Sequence, residues 1–138
     1  MQLKTSKEFE VRFSEVDSMN IVWHGSYALY FEDAREQFGK EFGLSYLSYF
    51  ENGYYAPLVD LDFSFKKPLL FGQQARVEIV YRNVPAAKVI FDYEIRLTTD
   101  NSLIATGSST QVFLDGDYHL VWTNPPFYEN WKRKYHLL

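Results

Sequence analysis

The sequence has no cysteine, which excludes disulfides, thiolate metal sites and a cysteine nucleophile together. It has no excess of positive charge: 14 basic against 18 acidic side chains give a net charge of -4, unlike the clustered Lys/Arg surplus of a nucleic-acid binder. A polyanionic ligand would therefore need a local basic patch. Apolar runs are only a few residues long, far below the ~20 needed to span a membrane. Met1 to Glu10 has no apolar run after its charged start, so no signal peptide and a cytoplasmic location are expected. Glycine-rich phosphate loops and the Gly-x-Ser-x-Gly nucleophile elbow are missing, and His24, His119 and His136 lack metal-ligand spacing. Nothing reads as a repeat, linker or low-complexity segment.

Aromatic side chains are plentiful, with 12 Phe, 11 Tyr and 3 Trp in 138 residues. A chain of this size buries roughly two-thirds of its unfolded surface, enough for a core without disulfides or zinc. One domain over residues 1–138 is expected. Phe9, Val11 and Phe13 alternate with polar residues and predict a first strand. From Tyr27 the spacing changes to Tyr27, Tyr30, Phe31, Ala34, Phe38 and Phe42, one stripe of a helix. Ser26 suits its N-cap and Gly43 its C-terminal stop, with Glu36 and Lys40 paired on the wet side.

Leu44 to Asn52 predicts a short helical turn, and Val59 to Phe65 a second strand stopped by Pro68. Further alternating stretches at Ala75 to Arg82, Lys88 to Leu97 and Leu103 to Leu114 have short links that imply an antiparallel meander. Asn124-Pro125-Pro126 opens a terminal helix carrying Trp131. This order predicts an α+β fold, a curved five-stranded antiparallel sheet wrapped around one long helix. Val80, Ile90, Ile104 and Val112 fall on the nominally polar face, which dimerisation would cover.

The chemistry-bearing segment lies between the first strand and the helix. Asp17 stands seven residues before His24-Gly25-Ser26, so a loop can bring a carboxylate to the free N–H groups of a helix start, which bind or polarise an oxygen. The pattern comprises Val-Arg-Phe at 11–13, Glu15, Asp17, Met19, Ile21 to Gly25 and Tyr27, followed by Tyr30-Phe31-Glu32, Ala34 and Arg35. With Asp62 to Pro68, Phe71-Gly72 and Ala105 to Thr110, it resembles the 4-hydroxybenzoyl-CoA thioesterase-like branch of the hot-dog superfamily over about Phe9 to Asp115. The resemblance implies a hot-dog fold, homodimers often paired into tetramers, and acyl-CoA hydrolysis without metal or prosthetic group.

It also implies that Asp17 is the catalytic carboxylate, as nucleophile or general base; a loop Asp can equally serve an Asx-turn. The resemblance further implies that the Gly25 amide polarises the carbonyl and that His24 orients substrate, water or Asp17; a lone His can equally be a structural hydrogen-bonder, and a Gly can be present for its backbone angles alone. Trp23 and Ser26 depart from the Tyr and Asn usual at these points, which bears on acyl preference rather than reaction type. Lys66, Lys67, Arg82 and Lys88 flank strand ends and are candidates for the phosphates of coenzyme A, or else edge-strand guards. Glu32 and Glu36 on the helix are fallback carboxylates. Tyr46, Tyr49, Phe50, Tyr54 and Tyr55 are candidate walls of an acyl pocket, core or interface. An acyl-carrier-protein thioesterase, a hot-dog dehydratase and a non-catalytic acyl-thioester binding module remain as alternatives.

Overall fold

The alternating stretches become one antiparallel sheet in a computed structural model that describes residues 2–138. The strands are β1 (Lys4–Glu10), β2 (Leu58–Phe65), β3 (Gln74–Arg82), β4 (Lys88–Leu97) and β5 (Leu103–Val112). Their spatial order is β1-β3-β4-β5-β2, so the meander β3-β4-β5 forms the centre and the two remaining strands form the edges. The helices are α1 (His24–Phe42), α2 (Tyr46–Glu51) and α3 (Pro126–Lys134).

The helical stripe explains why α1 sits against the inner face of the sheet: Tyr27, Tyr30, Phe31, Ala34 and Phe38 are all buried. Phe31 stacks on Tyr93 with ring centroids 4.0 Å apart, and Phe38 meets Phe91 edge-on at 4.9 Å. Each such side chain contributes roughly 1.5–3 kcal/mol by leaving water, so this stripe outweighs the marginal stability of an isolated helix. Gly43 ends α1 at φ 81°, the left-handed conformation in which a side chain would be strained. The α3 helix closes the far end of the core, where the Trp131 indole N–H donates to Phe42 O at 2.7 Å.

Four expectations need correction. The first strand ends at Glu10, because Val11 turns away to bond Gln73 O through its N–H and Gly72 N–H through its carbonyl, both at 3.0 Å. Phe13 then lies 76% exposed in a 3-10 turn, Phe13–Glu15. The long helix begins at His24 with Trp23 as N-cap, so Ser26 is a third-position residue inside it. Ile104 belongs to the core, since a bulge between β4 and β5 at Ile95/Arg96 shifts the alternation there. Finally, the Glu36–Lys40 pair expected along α1 does not form among the described residues; Arg35 on the same helix turns inward and donates to Tyr93 Oη at 3.0 Å.

The outer sheet face is mostly polar. Arg76 pairs with Glu78, Arg96 with Glu94 and Arg82 with Asp92 there. Exposed apolar area lies instead along edge strand β2, at Leu58, Val59 and Phe65, and in the loops, at Phe13, Met19, Trp23 and Phe71. The apolar case for dimerisation thus moves from the sheet face to the sheet edge. No described helix is long and apolar enough to cross a membrane.

Candidate active site

The loop between the 3-10 turn and α1 is held by its own backbone. Asp17 N–H donates to Ile21 O at 2.8 Å, Asn20 adopts φ 66°, and Val16 bridges Val22. Asp17 Oδ1 accepts from Met19 N–H at 2.8 Å and Ile21 N–H at 3.3 Å, the Asx-turn geometry. Its Oδ2 has no protein partner among the described residues. The Asx-turn therefore fixes the carboxylate through one oxygen and leaves the other without a protein partner.

Asp17 lines a cleft of about 360 Å³ with Trp23, His24, Tyr27, Phe65, Lys66 and Lys67. The start of α1 has no side-chain cap, so its first amides, of His24 and Gly25, lack helical acceptors, as at any helix N-terminus. Ser26 N–H already donates to Trp23 O at 2.9 Å. Gly25 is required by close approach: a Cβ there would lie 2.0 Å from the Trp23 indole. Tyr27 stacks edge-on against Phe65 at 4.9 Å, and burial pushes its phenol up to about 12, keeping it neutral. Lys66 and Lys67 are exposed at the cleft margin, their N–H groups fixed on Ile104 O at 2.8 and 3.1 Å.

The remaining candidates lie elsewhere. Ser26 is buried and donates its hydroxyl to Glu15 O at 3.2 Å. Arg82 and Lys88 are remote from the cleft within one chain. Phe65 pairs with Ala105 and Lys88 with Val112, seven residues further along β5, roughly 23 Å at ~3.3 Å per residue. Glu32 and Glu36 line a second cavity of about 580 Å³ with Arg35, Tyr46, Tyr49, Tyr55 and Gln111. Tyr54 packs instead on Phe113 and Phe127. Asp115, Asp117 and His119 bring ligand atoms within 4.8 Å of one another, but the Asp115 Oδ1 is occupied by Asp117 and His119 N–H groups at 2.9 and 3.0 Å.

Glu15 is the residue whose place sequence reasoning missed. An acidic residue two positions before Asp17 reads as solvent-facing, yet it is only 8% exposed. Its Oε1 accepts from Arg12 N–H at 2.8 Å and from Tyr30 Oη at 3.0 Å, and its Oε2 from Arg12 Nε at 3.2 Å. Burial first, then the Glu15 charge, pushes the Tyr30 phenol far up, so it remains a donor. Arg12 is not an N-cap residue type, so the spacing to Glu15 carried no capping signal, and Tyr30 lies fifteen residues on.

A single long helix embraced by an antiparallel sheet of this strand order defines the hot-dog architecture. Residues 11–131 match the model of the thioesterase-like superfamily, and the chain belongs to that family. YneP of Bacillus subtilis (strain 168), described provisionally as an acyl-CoA thioesterase, is 35% identical over 66% of this chain and 66% of its own, slightly under two-thirds of its length. A structure of DHNA-CoA thioesterase from Staphylococcus aureus superposes with TM-score 0.85 at 26% identity, covering 96% of this chain and 89% of that one. The 1,4-dihydroxy-2-naphthoyl-CoA thioesterase of Synechocystis shares the fold, with TM-score 0.80 at 20% identity over 90% and 92%.

Proposed function

We propose that this protein is an acyl-CoA thioesterase in which Asp17 is the nucleophile or general base and the His24 and Gly25 amides polarise the thioester carbonyl. The observation that carries this reading is the shared cleft: a carboxylate with one unpartnered oxygen and an uncapped helix start open onto the same space. With the carbonyl oxygen against those amides, charge developing on it meets preorganised N–H dipoles. Along one route Asp17 Oδ2 attacks the carbonyl carbon, the C–S bond breaks, and water opens the resulting anhydride. Along the other, Asp17 takes a proton from water as that water attacks. Both release the acid and a CoA thiolate that is protonated to the thiol.

His24, beside the Trp23 ring at 4.9 Å, orients the substrate, while Trp23, Tyr27 and Phe65 contact the acyl end. Lys66 and Lys67 supply the local positive charge that a net charge of -4 denies the molecule as a whole. The protein functions as a homodimer, or a dimer of dimers, joined along β2. That edge offers unpaired backbone beside Leu58, Val59 and Phe65, and pairing there also hides an aggregation-prone strand. Arg82 and Lys88 reach a coenzyme only from another copy.

The test is a hydrolysis screen over short, long and aromatic acyl-CoA thioesters and the same acyl groups on acyl-carrier protein, with Asp17→Asn run alongside. Turnover of a CoA thioester that collapses in the variant supports the proposal. Preference for the protein-bound thioester replaces the carrier, and no hydrolysis of any thioester overturns it.

A further inference from the structure

Two residues before Asp17, one buried side chain gathers three segments of the chain. The Glu15 carbonyl accepts from Trp23 N–H at 2.9 Å and Ser26 Oγ at 3.2 Å, so its backbone grips the N-cap and first turn of α1. Its carboxylate grips Arg12 on one side and the Tyr30 hydroxyl, in the second turn, on the other. A carboxylate this buried is costly unless its lone pairs are filled, and the Arg12 side chain is 73% exposed, so the guanidinium gives little shielded compensation. The filled lone pairs must therefore come from the fixed donors, Arg12 N–H and Tyr30 Oη.

We infer that Glu15 and Tyr30 are positioning residues, which clamp the Asp17 loop to the start of α1 and so set the distance between the carboxylate and the polarising amides. This rests on the reading of Asp17 given above. The geometry supports a positioning role because every segment that must stay in register meets at Glu15: the loop that carries Asp17, the N-cap, and the turn bearing the free amides. Among the described residues the loop is otherwise tied to itself, by the Val16–Val22 bridge and the bonds of Asp17 with Met19, Asn20 and Ile21, and to the segment before β3, by the Ile21–Leu70 bridge and Val22 N–H to Leu69 O at 2.8 Å. None of these links the loop to the turn after His24. The Tyr30 ring is held independently, stacked on Phe9 at 4.2 Å and edge-on to Tyr27 at 5.8 Å, so losing its hydroxyl removes the side-chain arm of the clamp and leaves the Glu15 carbonyl bonds and the packing in place.

The experiment compares Tyr30→Phe, Glu15→Gln, Asp17→Asn and the double variant Tyr30→Phe/Asp17→Asn with one acyl-CoA thioester that the wild type hydrolyses. Tyr30→Phe is expected to lower kcat about 10- to 100-fold with KM unchanged, the scale of a misplacement approaching ~1 Å. Glu15→Gln keeps a carbonyl acceptor for both donors and is expected to stay within about 3-fold, since geometry rather than charge is what it supplies. In the Asp17→Asn background Tyr30→Phe is expected to cost nothing further, because two residues acting through one step are not additive. Wild-type kcat in Tyr30→Phe, a full repeat of its loss in the double variant, or an equal loss in Glu15→Gln each overturns the inference while Asp17→Asn remains inactive. Wild-type turnover in Asp17→Asn overturns the reading of Asp17 itself and is seen in the single variant alone.

Discussion

Two of the cavities among the described residues, one at Asp17 and one at Glu32 and Glu36, contain carboxylates at the two ends of this contrast, and they differ in what those carboxylates face. In the smaller, Asp17, whose Oδ2 has no protein partner among the described residues, shares the lining with His24 of the uncapped helix start and with two lysines at the margin. In the larger, Glu32 and Glu36 project from the middle of α1, where helix amides are already consumed, toward Arg35 and a wall of tyrosines. Size would favour the second; chemistry favours the first, because polarising a thioester needs unspent N–H donors as well as a base. The larger cavity offers side-chain donors, the Arg35 guanidinium and the tyrosine hydroxyls, in place of unspent helix amides.

Removing the base of the smaller cavity should have the largest effect. Asp17→Asn is nearly isosteric and retains an acceptor for the Asx-turn, so the fold should persist while kcat falls at least ~100-fold. Circular dichroism and steady-state hydrolysis read the two halves of that statement. Next comes Gly25→Ala, which drives a methyl into the Trp23 indole and displaces the ring from the helix start. Turnover should drop roughly 10- to 100-fold. The fluorescence of Trp23 should change with it, and unchanged kinetics would free the indole from the site.

Lys66→Ala and Lys67→Ala should each raise KM for acyl-CoA roughly two- to five-fold with kcat unchanged, as expected of exposed charges giving uniform binding. The effect should shrink as salt rises, and it should vanish for the same acyl group on a short pantetheine arm. Smallest of all, Glu32→Gln and Glu36→Gln should alter kcat by less than about 3-fold, their carboxylates lying outside the reaction. A loss comparable to that of Asp17→Asn would exchange the two cavities. The cleft wall also carries a pH signature: Tyr27, like Tyr81 in the core, titrates near 12 when folded against 10.0 unfolded. The native state then binds more protons above pH 10, so stability should fall as pH climbs from 10 to 12, and Tyr27→Phe should flatten the decline in melting temperature.

This contrast between cavities was only half legible in the sequence. The inner strands were readable because their period is apolar: β4 runs from Lys88 to Leu97 with Val89, Phe91, Tyr93 and Ile95 buried at alternate positions. Edge strand β1 was not, since Lys4 to Glu10 carries Ser, Lys and Glu at positions the sheet leaves exposed and shows no apolar alternation. The Asp17 to Gly25 segment could be read because its neighbours in space are neighbours in sequence. Glu15 could not, because the partner that buries it, Tyr30, belongs to a helical stripe whose hydroxyl leaves no trace in an apolar period. The bulge that turns Ile104 inward was equally silent.

The central claim is about where the thioester carbonyl sits, and a crystal structure with a non-hydrolysable acyl-CoA analogue, its carbonyl kept and its sulfur replaced by methylene, tests it directly. The account predicts the carbonyl oxygen within hydrogen-bond distance of the His24 and Gly25 amides and its carbon facing Asp17 Oδ2. A carbonyl seated among Glu32, Arg35 and Glu36, with Asp17 unoccupied, would contradict it.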